Sequence, residues 1–169
     1  LSLSRNGRHL VAGFAEPVKG RNLLWVDLEG DRREFLRVGL GDCCSVVVDE
    51  SGRTIAGGED GALRLFEPER QRERNLGAHP DAKLHTGWVR GLALRGGLLF
   101  SGASGKSETS LVLHELLRGR IHKAGLIDAG QLYSISFASS EARALVALER
   151  ELALLRLRLP RLAPTSAQV

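Results

Sequence analysis

Residues Arg53 to Glu67 read RTIAGGEDGALRLFE, and this stretch decides the fold. A short run from Arg53 to Gly57 leads into Glu59-Asp60-Gly61, and a second run alternates through Leu63, Leu65 and Phe66-Glu67. Asp-Gly between two such runs is a strong hairpin signal, because glycine accepts the positive φ that a tight turn between twisted strands demands. The same hairpin returns along the chain. Aligned on the small residue near the end of its first strand, it gives Gly13 in LVAGF, Gly57 in TIAGG, Gly102 in LFSGA and Leu148 in LVALE. The steps are 44, 45 and 46 residues.

A repeat of that length, with about four short strands per unit, is the mark of propeller blades rather than of helical solenoids. The expected fold is therefore all-β, built of four-stranded antiparallel blades in an incomplete ring, which further chain or another subunit would complete. The single domain spans 1–169, with blades near 1–38, 43–77, 85–122 and 128–163. Strands are expected near 1–4, 9–14, 22–27 and 34–38 in the first blade. Asn6-Gly7 turns its first hairpin, and a longer connection runs from Glu16 to Arg21. Glu67 to Arg74 is dense in charge and suits an outer strand, where charge discourages pairing with other chains.

The repeat resembles that of the WD-repeat β-propellers. VVVDESGRTIAGGEDGALRLFE is similar to the family's blade, with Phe66-Glu67 where the family has Trp-Asp, and HTGWVRGLALRGGLLFSG is similar to its opening through His85-Thr86-Gly87-Trp88-Val89. Blade one places Val26-Asp27 at the Trp-Asp position. The resemblance covers nearly the whole chain. It implies a structural network in which His85 hydrogen-bonds Ser101, with His114 standing where the family's relay ends in Trp. In blade two it places Asp60 at the turn, while Gly39 occupies the His position. It also implies that partners dock on the rim formed by blade openings and second-to-third strand hairpins. Here that rim holds Trp88 and Arg90, and the hairpin connections at 16–21 and 103–109 add Lys19, Arg21 and Lys106. Trp and Arg are the side chains most enriched at binding hot spots. The competing role for Trp88 is packing between blades, the role expected of Trp25.

Composition excludes several function classes. The net charge is +4, but 24 basic residues are scattered among 20 acidic ones without a stripe of interleaved aromatics, so nucleic-acid binding is not indicated. The two cysteines, Cys43 and Cys44, are adjacent, and no disulfide framework is expected; the pair reads as small core residues of a chain in a reducing compartment. No further Cys or His stands at ligand spacing, so neither metal nor cofactor is expected. No apolar run approaches the length of a membrane span and no signal peptide is seen, which together with the thiols points to an intracellular, cytoplasmic or nuclear protein.

Three stretches compete with this picture. Gly102-Ala-Ser-Gly-Lys-Ser107 approaches a phosphate-cradling loop, but Phe100 stands where the first glycine is required, and the following Glu108 to His114 is β-like rather than helical. His79 beside Asp81 lies in a Gly- and Pro-containing loop without a nucleophile nearby. Leu145, Leu148, Leu152, Leu155, Leu159 and Leu162 form a heptad stripe, and helix formers dominate 141–157. Against a helix, Leu132 to Phe137 is a clean strand and Pro160 interrupts the stripe. Strands are the expectation there, with a terminal leucine-rich helix as the alternative. With no catalytic constellation, the expected role is that of a non-enzymatic interaction scaffold or adaptor subunit within a multisubunit assembly. The alternatives are a nucleotide-binding protein using 102–107 and a phosphoinositide- or nucleic-acid-binding propeller.

Overall fold

The computed structural model describes residues 1–76, 85–105, 108–117, 119–127, 130–137, 143–149 and 151–156. Short strands pair with their sequence neighbours throughout, as in the second sheet, where Asp49 with Gly52 and Asp60 with Gly61 shape the two turns. The first sheet has the order β1 (Ser2–Leu3), β2 (His9–Val18), β3 (Arg21–Asp27), β4 (Arg32–Leu36). The second is β5 (Cys43–Val48), β6 (Thr54–Gly58), β7 (Leu63–Glu67), β8 (Arg72–Asn75), with a 3₁₀ turn at Pro68–Arg70 before its outer strand. The third is β9 (Trp88–Arg95), β10 (Leu98–Ser104), β11 (Thr109–Glu115), β12 (Arg120–Ile127). Among the described residues the fourth sheet has three strands, β13 (Leu132–Phe137), β14 (Arg143–Leu148) and β15 (Leu152–Arg156). All pairing is antiparallel.

The sheets are stacked face to face as blades, and each junction holds its own core. Val11, Leu23 and Trp25 of blade one pack on Cys43, Val46 and Val48 of blade two. Ile55, Leu63 and Leu65 of blade two pack on Val89 and Leu99 of blade three. Phe100, Leu111 and Leu113 of blade three pack on Leu132, Ile135 and Val146 of blade four. Each buried Leu, Ile, Val or Phe contributes roughly 1.5–3 kcal/mol, and the strand period of two sends alternate residues to opposite junctions.

The repeated glycine is explained by these junctions. A Cβ at Gly13 would sit 2.5 Å from Cys43 Sγ, at Gly57 2.5 Å from Val89 Cγ1, and at Gly102 2.5 Å from Leu132 Cδ2. In every case the obstacle belongs to the innermost strand of the following blade. Register shifts the fourth member of the series. β5, β9 and β13 each carry a bulge near their start, and the pairs Ser45–Gly57, Gly91–Gly102 and Ser134–Ala147 follow it. The counterpart of Gly57 and Gly102 is Ala147 rather than Leu148, so the last step is 45 residues and not 46.

Two further expectations change. The connection at 16–21 is not a long loop. β2 continues through Glu16-Pro17 to Val18, which pairs with Arg21, leaving a two-residue turn with Lys19 at φ 52° and Gly20 at φ 76°. Both central residues are left-handed, as a tight hairpin requires. Pro17 is tolerated because β1 is only two residues long and leaves this end of β2 without a neighbour on that side. The hairpin at 103–109 is also shorter, since Ser104 pairs with Thr109 and Gly105 N–H donates to Glu108 O at 2.8 Å. At the C-terminal end, Leu145, Leu148, Leu152 and Leu155 lie on strands, not on a helix; Leu159 and Leu162 fall outside the described residues. Local helix preference is overridden in Arg143–Leu148 and Leu152–Arg156 because β14 bonds to β13 on one side and β15 on the other.

The candidate site on the blade rim

Strand direction decides which residues share a rim. Innermost strands begin, and second-to-third strand hairpins turn, at the same end of every blade. That end of blades two to four forms an open cleft of about 410 Å³ lined by Glu59, Thr86, Gly87, Trp88, Arg90, Ser104, Gly105 and Gln131. Trp88, the first residue of β9, is 50% exposed, so it is not a blade-packing residue. Arg90 is the extra residue at the bulge, which turns its side chain back over Trp88 with the guanidinium carbon 4.9 Å from the ring centroid. Arg90 Nε is buried and has no hydrogen-bond partner among the described residues. Its counterparts at the bulges of the neighbouring blades are Cys44 and the exposed Tyr133. Sequence periodicity alone did not single out Tyr133, because only the bulge brings it to the rim.

Trp25 has the opposite fate. It is buried, its Nε1–H donates to Gly52 O at 3.0 Å across the first junction, and His9 stacks on it at 5.5 Å. Lys19 and Arg21 lie at the hairpin of blade one and do not line the cleft. Lys106 lies outside the described residues, as do His79 and Asp81.

His85 stands just below the cleft. Its Nε2 is 2.9 Å from Ser101 Oγ and its Nδ1 is 2.7 Å from Ser110 Oγ. Ser101 Oγ also reaches Val112 O at 3.4 Å. One proton assignment satisfies all three contacts: Nε2–H donates to Ser101, Ser101 O–H donates to Val112 O, and Ser110 O–H donates to Nδ1. No carboxylate takes part, and burial alone pushes the imidazole down to about 4, so it is neutral at physiological pH. Ser110 is a member of this network that the repeat pattern does not reveal. Asp60 is not part of it. Its Oδ1 accepts Ala62 N–H at 3.0 Å and shapes the turn whose Gly61 carbonyl accepts His85 N–H at 3.3 Å. Gly61, at φ 82°, has no room for a side chain because His85 O lies where its Cβ would be.

Arg8 and Asp27 carry structure. Arg8 grips Asp27 through Nε and Nη2 at 3.2 and 3.0 Å. That contact, with Gly30 N–H, holds the carboxyl at about 2. Cys43 and Cys44 are both free thiols; burial pushes Cys43 up to about 12, and burial also raises Cys44. No group of three or more His, Cys, Asp or Glu side chains placed to hold a metal occurs among the described residues. Gly102 to Ser104 belong to β10, so the phosphate-loop resemblance begins inside a strand instead of at a helix N-terminus.

No family model and no curated protein matches the chain. Solved structures do. A chain of the mitotic checkpoint complex superposes with a TM-score of 0.71 at 15% identity, covering 95% of this chain and 49% of that one. A chain of the nidogen/laminin complex gives 0.64 at 15%, covering 87% and 54%, so the present chain spans about half the length of each of these two. The computationally designed Ika4 protein gives 0.68 at 12% identity, with 92% of this chain and 89% of that chain covered. At these identities the likeness establishes the fold: β-propeller blades.

Proposed function

Taking the propeller arc as the premise, we propose that this chain is a WD-type interaction scaffold without catalytic activity, whose partners dock on the rim at the opening of blade three. The observation that carries this is the Trp88–Arg90 pair, a half-exposed indole and a guanidinium held together over a cleft by a backbone bulge. A side chain fixed in this way loses little entropy when a partner covers it. Two of the similar structures are of complexes, nidogen with laminin and the mitotic checkpoint assembly, which supports a role in protein assembly for this chain too. The proposal includes an intracellular setting, supported by two thiols that stay unpaired. Among the described residues no helix is long and apolar enough to cross a membrane.

Selection of peptides from a random display library on the immobilised protein, followed by calorimetry, tests the proposal. Peptides that bind the rim should lose at least tenfold in affinity to Trp88→Ala and Arg90→Ala, with the melting temperature nearly unchanged. If Trp88→Ala lowers the melting temperature strongly and leaves peptide affinity alone, Trp88 is a packing residue and the rim site is wrong.

A further inference from the structure

The outward face of blade four is built like the faces that form the three junctions inside the molecule. Register gives the correspondence. Leu152 pairs with Ala147 as Leu23, Leu63 and Leu111 pair with Gly13, Gly57 and Gly102. Those three leucines are 0%, 0% and 2% exposed, whereas Leu152 is 65% exposed. Leu154 corresponds in the same way to Trp25, Leu65 and Leu113, all buried, and is 59% exposed. Leu145, at the position of Val11, Ile55 and Phe100, is exposed where they are buried. The face has the apolar side chains of a blade junction, and no blade among the described residues lies against it.

Blade one shows the complementary half. Val48, Leu94 and Phe137 on the innermost strands pack against the preceding blade, and Leu3 occupies the same register position, paired with Leu10. Leu3 is 53% exposed. Leu1, two residues earlier, and Phe35, stacked on Phe14 at 6.3 Å, are exposed on the same apolar side.

We propose that these faces close on each other between two copies of this chain, blade four of each seating on blade one of the other, to give a two-fold ring of eight blades. A second copy is the occupant chosen because both halves of the joint, in register with three joints already formed, lie on one chain. A head-to-tail contact of this kind forms a closed ring when the rotation permits and a filament when it does not. A stable association must bury on the order of 1,000 Å² in total, and each joint offers side chains of the kind that fill the three internal junctions.

Native mass spectrometry of residues 1–169 is the test. The expected species is a dimer of the 18.3 kDa chain. Leu152→Asp and Leu3→Asp should each convert it to a folded monomer, since either change damages both joints. An equimolar mixture of the two variants should recover dimers in part, because one joint is then built from unmodified faces. A soluble wild-type monomer at tens of micromolar overturns the proposal, as does a ladder of larger open assemblies. A dimer sensitive to Leu152→Asp but indifferent to Leu3→Asp would mean that blade four pairs with itself, which also overturns it.

Discussion

Acidification should weaken this fold through His85, by an amount the structure sets. The imidazole is almost fully buried between Ser101 and Ser110 with no acidic partner, and its pKa falls from 6.5 to about 4. In the unfolded chain His85 takes up a proton as the pH drops below 6.5, while the folded chain resists until about 4. The unfolded state therefore binds more protons throughout that window, and stability declines as pH falls. The contribution is fully present above 6.5, and the gap down to about 4 corresponds to ~3 kcal/mol at most, of which ~2 kcal/mol is lost by pH 5. Urea unfolding at pH 7.5, 6.5, 5.5 and 5 measures it, with His85→Asn as the reference that removes the titrating group. At pH 7.5 the variant should be less stable by about 1–3 kcal/mol, since the two serines lose a partner. That difference should shrink toward pH 5 and can reverse. A difference that stays constant from pH 7.5 to 5 would refute the reasoning, as would a His85 titration observed by NMR near 6.5.

Other expectations follow from the same geometry. Gly57→Ala should destabilise by about 1–3 kcal/mol, because the methyl group meets Val89 at 2.5 Å and Ser45 Oγ at 2.8 Å; a change below ~0.5 kcal/mol in urea unfolding would contradict the close approach. Arg8→Ala should return the Asp27 carboxyl from about 2 toward its ordinary 3.8, read by carbon-detected NMR titration; an unmoved value would assign the effect to Gly30 and Glu29 N–H groups alone. Cys43, pushed up to about 12, should resist alkylation at pH 8 in the folded protein and react on unfolding, followed by intact mass. Calorimetric titration with ATP or GTP should show no binding, since Gly102 packs on Leu132 in a strand; saturable binding would reopen the case for 102–107.

Local chemistry made much of the blade pattern legible. Asp60-Gly61 and Asn6-Gly7 announce hairpins because turn geometry is set within a few residues, and Leu63, Leu65 and the glycine series report burial on alternate faces. The candidate site was legible in part. Trp88, Arg90 and the His85–Ser101 pair came from the blade opening, but Ser110 and Tyr133 did not, since one reaches His85 from the neighbouring strand and the other reaches the rim by a bulge. The two-residue hairpin at Lys19-Gly20 is not legible in the sequence, because a strand carries Pro17 only where a neighbouring strand is short, and the shortness of β1 is a tertiary fact.

Hairpin turns and side-chain alternation are local and periodic, so the amino-acid sequence alone shows a chain of short antiparallel strands repeating every 44 to 46 residues. That Arg143–Leu148 and Leu152–Arg156 are strands follows from tertiary pairing, because their backbone groups are paired by residues far outside any helical turn. Trp88 could by its sequence have packed between blades as Trp25 does, and tertiary structure places it in the open. What separates them is the side of the sheet each faces and whether another blade lies against it, and neither is a property of the residues adjacent in the chain.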